Sequence, residues 1–268
     1  MKKATIQAVV VLSGGQDSAT CLALAVKKYG ASGVAAITFS YGQRHSVETK
    51  YARRLAKRFG VAAHKVVRLG FYRDITTNAL MDPTMAIVAK GQRSKVEGQT
   101  KDDHVNCLTS DLRPQTSPPN TVVEGRNAFF LLAAAVWAKS LGATVLYTGV
   151  SQTDYSGYPD CRAVFVKAQE KAIRLALDWP IKVVTPFMRM TKAEEWALAA
   201  KLGIFDVIAN ETVTCYNGIP GKGCGKCPAC KLRNRGLREY SKSQSQGQRS
   251  KVRGQRSNKG SQIPLSDL

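Results

Sequence analysis

Five runs rich in apolar and β-branched residues punctuate the chain: IQAVVVL (6–12), GVAAITFS (33–40), AHKVVRL (63–69), ATVLYTGV (143–150) and IKVVTPF (181–187). Between them lie stretches whose apolar positions recur at helical spacing, with helix starts expected near Ser18, Ser46, Arg126, Cys161 and Thr191. Strand and helix alternating in this way predict an α/β fold, a parallel sheet covered by helices. Ligands of such sheets bind beyond the carboxyl ends of the strands, so the loops after the five runs are where function is expected.

Two segments break the alternation. Residues 90–118 are polar, contain proline and carry no period, and residues 241–262 are lower still in complexity. Both are expected to be mobile. They share a word, GQRSKV, at 91–96 and 247–252, and GQRS recurs at 254–257. This reads as a repeat tolerated at two solvent-exposed places, where added loop length costs little free energy. The expected organisation is an α/β domain over 1–210 interrupted by the insertion at 90–118, a small metal-binding module over 211–240, and a basic, disordered repeat tail over 241–268.

Composition changes this picture in three respects. The formal net charge of +21 would by itself suggest a polyanionic partner. From Lys231 onward, however, ten Lys or Arg stand against Glu239 and Asp267, so much of the excess sits in the tail, and direct nucleic-acid binding is not expected. The opening MKKATIQAVVVL has the charged start and apolar run of a signal peptide, but Gln7 interrupts it and no small-residue cleavage site follows, so it reads as a buried first strand. The Ala-rich stretch 128–138 stops at Lys139, too short for a membrane span, and seven cysteines with a tight cluster near the end suit metal binding in a reducing compartment. A soluble, cytoplasmic protein is the expectation.

The first candidate chemistry is SGGQDS at 13–18, between a strand and a helix. Gly14 and Gly15 permit close backbone approach, and the following helix terminus offers free amides to an anion. No lysine follows the glycines, so the loop lacks the group with which Walker-type loops shield a transferring phosphoryl group. A site that holds the outer two phosphates together as a leaving group has less need of one, and the loop resembles that of the pyrophosphate-loop ATPases. The resemblance implies that Ser13 and Ser18 donate to phosphate, that Asp17 helps position Mg2+, and that the run Leu12, Ser13, Gly14, Gly15, Gln16, Asp17, Ser18, Ala19, Thr20, Cys21 and Leu22 holds ATP.

The second is the array Cys215, Cys224, Cys227 and Cys230, whose spacing lets four thiolates converge on one tetrahedral ion. Zinc is the default, and four sulfurs leave no position for water, so the site is expected to be structural. An iron–sulfur ligand run and a nucleic-acid-binding zinc ribbon share parts of the pattern. Elsewhere, Tyr41, Gln43, Arg44 and His45 follow the second strand, where they line a pocket or form a helix-capping turn with Ser46 as the cap. Arg126 and Asn127 open a helix, where a guanidinium meets a phosphate or carboxylate, or simply solvent. TGVSQTDYSGYPDCR, from Thr148, is too rich in turn formers and aromatics for a plain connection. Cys161 within it reads as a buried thiol rather than a nucleophile, and Cys21 as core.

Together, SGGQDS, FSYGQRHSVE, EGRN, TGVSQTDYSGYPDCR and NETVTCYNGIPGKGCGKCPAC resemble the 7-cyano-7-deazaguanine synthases of queuosine biosynthesis, from about Val9 to Tyr240. The resemblance implies a Rossmann-like sheet with helices on both faces, of the adenine nucleotide alpha hydrolase type, with a C-terminal zinc module holding one structural ion per subunit. It also implies a homodimer and an ATP-dependent ligase that turns 7-carboxy-7-deazaguanine and free ammonia into a nitrile. Ser13, Asp17 and Arg126 then serve the reaction, and Tyr41, Gln43, Arg44, His45, Asn127, Asp154, Tyr155, Tyr158 and Asp160 serve the base. Glu124 departs from the family, which usually has proline there, and the insertion and tail are additional. A transfer-RNA modifying enzyme of the same loop class and a non-enzymatic zinc protein that retains the loop are the rival readings.

Overall fold

The computed structural model describes residues 5–44, 47–82, 84–87, 119–152 and 158–258, from 247 onward by backbone alone. Its centre is a five-stranded, wholly parallel sheet of order β3-β2-β1-β4-β5. The strands are β1 (Ala8–Val11), β2 (Val34–Ser40), β3 (Ala63–Arg68), β4 (Val145–Tyr147) and β5 (Lys182–Val184). Each lies within one of the five apolar runs. The interrupted start of the chain is therefore a central strand, its residues wholly buried from Ala8 to Val10.

Both faces of the central strands β1 and β2 are covered, which is why they read as continuous apolar runs rather than alternating ones, whereas the edge strand β3 is part-buried and carries His64, Lys65 and Arg68. Ala8 and Val10 of β1 pack with α1 (Gln16–Tyr29), α2 (Val47–Arg58), α6 (Lys192–Lys201) and α7 (Phe205–Asn210). Val9, between them, points to the other face and packs with α4 (Arg126–Ser140) and α5 (Ala163–Leu177). A short α3 (Tyr72–Ile75) follows β3. The start of α6 is fixed by a full capping box in which Thr191 and Glu194 satisfy each other's backbone N–H.

Because β1 is flanked by β2 on one side and β4 on the other, the loops after β1 and β4 diverge and leave a crevice at the carboxyl edge. One close approach shapes it. A Cβ on Gly149, just after β4, would stand 2.9 Å from Asp17 Cβ and 3.1 Å from Ser18 N.

The C-terminal helix α8 (Pro228–Asn258) begins inside the cysteine cluster with proline at its first position and packs along α6, burying Leu237 and Tyr240 partly against the core. From 241 the described backbone continues this helix through Asn258. Once α8 is nucleated and docked, each further residue adds a hydrogen bond at little cost, and no proline intervenes before Asn258. The insertion at 90–118 and the last ten residues of the tail lie outside the described residues.

Candidate active site and metal centre

The loop after β1 is built by its own hydroxyls. Ser13 N–H donates to Ser18 Oγ (3.2 Å), the two hydroxyls stand 3.0 Å apart, and Ser18 Oγ donates to Gly15 O. Gly14 holds φ +92°, and a Cβ there would meet the backbone of α2 at Glu48 O, 2.6 Å away. Only glycine satisfies both conditions. Gly15 caps α1 without a side-chain bond, so the helix amides face a cavity of about 300 Å3 lined in part by Ser13, Gly15, Gln16, Asp17 and Ser18. Gln16 is 1% exposed, and neither its amide oxygen nor its amide nitrogen has a partner among the described residues.

A lysine does reach this loop, from elsewhere in the chain. Lys192, at the first position of α6, places Nζ 2.8 Å from Asp17 Oδ1 and 2.9 and 3.0 Å from the two Glu195 oxygens, and it lines the same cavity. Its side chain is 6% exposed and that of Glu195 is fully buried. Burial, and then the charge of Asp17, pushes the Glu195 carboxyl well above the ordinary range. A readable signal for Lys192 existed. A lysine in the first turn of a helix opposes the macrodipole and calls for a reason.

The opposite wall is aromatic. The Arg126 guanidinium lies 5.6 to 5.9 Å from the ring centres of Tyr41, Phe130 and Tyr158, and its Nη1 donates to Tyr41 Oη (3.0 Å). Its Nε is buried without a partner among the described residues. Tyr216, which the sequence reading did not single out, completes this wall, with its hydroxyl 3.5 Å from that of Tyr158. A cation among ring faces with an unused donor suits a flat, anionic ligand.

The remaining expected residues divide. Tyr41, Gln43, Asn127 and Tyr158 line the cavity, although Gln43 spends its amide on Tyr41 N and Phe39 O, and Tyr158 donates to Thr121. Arg44 instead ties down the strap of Ala79 and Met85 through their carbonyls. Asp160, 7% exposed, accepts the Asn127 N–H at 2.9 Å and so caps α4 rather than facing the cavity. Ala19, Cys21 and Leu22 are core residues on the side of α1 packed against the sheet, and the Thr20 hydroxyl bonds back to Gln16 O one turn earlier. His45, Asp154 and Tyr155 lie outside the described residues. Cys161 lines the cavity, where burial and then Asp160 push its thiol up to about 12, so it stays protonated and is a poor nucleophile. Glu124, the departure before Arg126, accepts the Thr76 hydroxyl at 2.6 Å, and Gly125 at φ +65° then turns the chain into α4.

The four cysteines converge. Their sulfurs all lie within 4.8 Å of one another, with Cys224–Cys230 at 3.9 Å and Cys215–Cys227 at 4.0 Å. A tetrahedral ion with bonds of about 2.3 Å needs thiolates about 3.8 Å apart, so the set fits one ion and is too tight to surround a multi-iron cluster. Backbone amides already point at the sulfurs: Cys227 N and Lys226 N donate to Cys224 Sγ at 3.3 and 3.4 Å. Burial opposes the Cys224 thiolate, yet these amides bring it down to about 6. A Cβ on Gly223 would collide with Cys230 Sγ.

Comparison with known proteins agrees with the sequence motifs. Residues 7–241 match the family model described as queuosine biosynthesis protein QueC. Proteins from two strains of Bacteroides fragilis, each described as 7-cyano-7-deazaguanine synthase, are 48% identical over 233 residues, which is 87% of this chain and 95% of theirs. Among solved structures, an NMN synthetase from Francisella tularensis aligns with 82% of this chain and 71% of its own, at 14% identity and a TM-score of 0.45. An NH3-dependent NAD synthetase from Campylobacter jejuni aligns with 75% of this chain and 66% of its own, at 14% identity and a TM-score of 0.41.

Proposed function

The chain belongs to the QueC family of queuosine biosynthesis proteins, and from that premise we propose that it is an ATP-dependent ligase making 7-cyano-7-deazaguanine from 7-carboxy-7-deazaguanine and free ammonia. The observation that carries the reading is one cavity with two unlike walls. One is a loop of hydroxyls and helix amides beside Lys192 and Asp17, and the other is a guanidinium enclosed by aromatic rings.

A carboxylate oxygen is a poor leaving group. Attack by that oxygen on the α-phosphorus of ATP forms an acyl adenylate and expels pyrophosphate, for which Ser13, Ser18 and the amides of the loop are donors and Lys192 is the counter-charge. Ammonia then displaces AMP and loses a proton, leaving an amide. The amide oxygen attacks the α-phosphorus of a second ATP and expels pyrophosphate, and loss of AMP with the two N–H protons leaves the nitrile. Arg126 holds the substrate carboxylate through its unused donor, and Tyr41, Tyr158 and Tyr216 supply ring faces for the flat base. The protein chiefly holds the reactants together in a site whose charges are already placed.

Asp17, with Glu48 elsewhere on the cavity wall, offers the hard oxygen donors that a magnesium ion takes, and such an ion neutralises charge developing on the phosphates. The cysteine set holds one structural Zn2+ per subunit. The outward side of α4, where Phe129, Leu132 and Val136 are exposed beside Phe71, supplies an apolar face for the homodimer. The compartment is the cytoplasm, where thiolates stay reduced.

Incubation of metal-loaded protein with ATP, magnesium, ammonia and 7-carboxy-7-deazaguanine tests the reaction by the mass of the base and the nucleotide products. Nitrile with two AMP per base is expected. An untouched base, with ATP cleaved only when transfer RNA is added, would move the chain to the RNA-modifying reading.

A further inference from the structure

The segment between Thr212 and Tyr216 joins the metal centre to the nucleotide loop by contacts that the motifs do not reveal. Val213 N–H donates to Gly14 O at 2.9 Å, a backbone bond across the crevice. Thr214 Oγ1 accepts the N–H of Gln16 at 3.2 Å, taking one of the amides that α1 leaves open at its start. The next residue, Cys215, is one of the four convergent sulfurs and is 1% exposed.

Accepting from Gln16 uses one lone pair of the Thr214 hydroxyl. Its proton has no acceptor among the described residues, and Thr214 lines the cavity together with Ser13 and Ser18. A second feature of the same spot also calls for a ligand: the side-chain amide of Gln16, 1% exposed, lacks partners at both its oxygen and its nitrogen. A buried primary amide without partners costs free energy unless something polar fills the space beside it.

We infer that Thr214 is a phosphate-binding residue of the nucleotide site, contributed by the metal-binding module rather than by the loop. Its hydroxyl relays between the Gln16 amide, from which it accepts, and a phosphate oxygen, to which it donates. The inference rests on the ATP-loop reading and deepens it, since the metal centre then acts on the reaction through the residue beside Cys215. The helix start supplies amides, and Thr214 supplies the hydroxyl opposite those of Ser13 and Ser18.

The test is calorimetric binding of magnesium and an α,β-methylene analogue of ATP to the metal-loaded, full-length protein, with adenosine followed as a competitor. Thr214→Val keeps the shape and removes the hydroxyl, and it should weaken analogue binding by about 10- to 100-fold, the range of one hydrogen bond to a charged group. Adenosine affinity should not change. Thr214→Ser should recover most of the loss, and Thr214→Ala, which relieves any packing strain of valine, should repeat it if Thr214→Val folds poorly. Chelation of the metal should weaken the analogue in the wild type more than in Thr214→Val. Equal analogue affinity in Thr214→Val and wild type would overturn the inference, as would an equal loss for adenosine, which marks a merely structural role. Ser13→Ala separates the two readings. If it weakens the analogue while Thr214→Val does not, the loop reading stands and this inference falls. If the wild type does not bind the analogue at all, both fall.

Discussion

Replacement of Gly149 by alanine tests whether the site depends on the close approach of the β1 and β4 loops. The added methyl would lie 2.9 Å from Asp17 Cβ, 3.0 Å from Asp17 C and 3.1 Å from Ser18 N. Carbon atoms rest comfortably at about 3.5 Å or more, so the two loops must part by roughly half an ångström. They cannot do so freely, because β1 and β4 are paired in parallel up to Val10 and Tyr147, and Asp17 is held at 2.8 Å by Lys192. Overpacking of this kind costs about 1 to 3 kcal/mol of stability. On the proposed reaction, in which Asp17 serves the phosphates of ATP, a shift of that size should lower kcat/KM by about 10- to 100-fold. Pyrophosphate release with saturating base and ammonia, beside urea unfolding, measures both. Gly142→Ala is the control: at φ +75° in open space it should lose about 1 kcal/mol of stability and keep full turnover. If Gly149→Ala retains wild-type kcat/KM, the approach is not what positions Asp17, and the reasoning fails.

Lys192→Met should reduce kcat/KM for ATP by about 100- to 1,000-fold and destabilise the fold, because it leaves the buried Glu195 carboxyl without its hydrogen-bond donor. Adding Glu195→Gln should restore unfolding stability and leave turnover low, and restored turnover would show that Lys192 acts only on the fold. Cys224→Ser should remove one ion per chain by metal analysis and lower the melting temperature, and unchanged metal content would remove Cys224 from the ligand set. His64 should make stability pH-dependent. Burial, and then the charge of Arg53, holds its folded pKa below the ordinary value, while its Nε2 lies 2.8 Å from Thr38 Oγ1. The folded state therefore takes up the proton less readily than the unfolded one, so this contribution is complete above about pH 6.5 and is lost as pH falls. Denaturant midpoints of His64→Gln should show a shallower acid decline than wild type.

The sequence by itself determined whatever needs only contiguous chain. Central parallel strands buried on both faces must be apolar, and even the part-buried edge strand β3 keeps a β-branched stretch, so five runs announced five strands. A glycine turn with hydroxyls before a helix is a local object, and so is a set of cysteines spaced to meet at one point, and both motifs lie where the structure has them. The polar tail is a different case: Ser, Gln, Lys and Arg in low-complexity order carry no apolar period, so the sequence has no signal for the helix α8, whose described backbone runs through Asn258. Tertiary structure alone decided the company these motifs keep. Lys192 reaches Asp17, and Thr214 reaches Gln16, across more than 170 residues, because the strand order sets β1 beside β4 and leaves α6 and the metal strap facing the first loop. It also turned Asp160 to cap α4, and set the half-buried Tyr216 in the cavity wall. Such assignments depend on distances between side chains far apart in the chain, and local propensity carries no information about those distances.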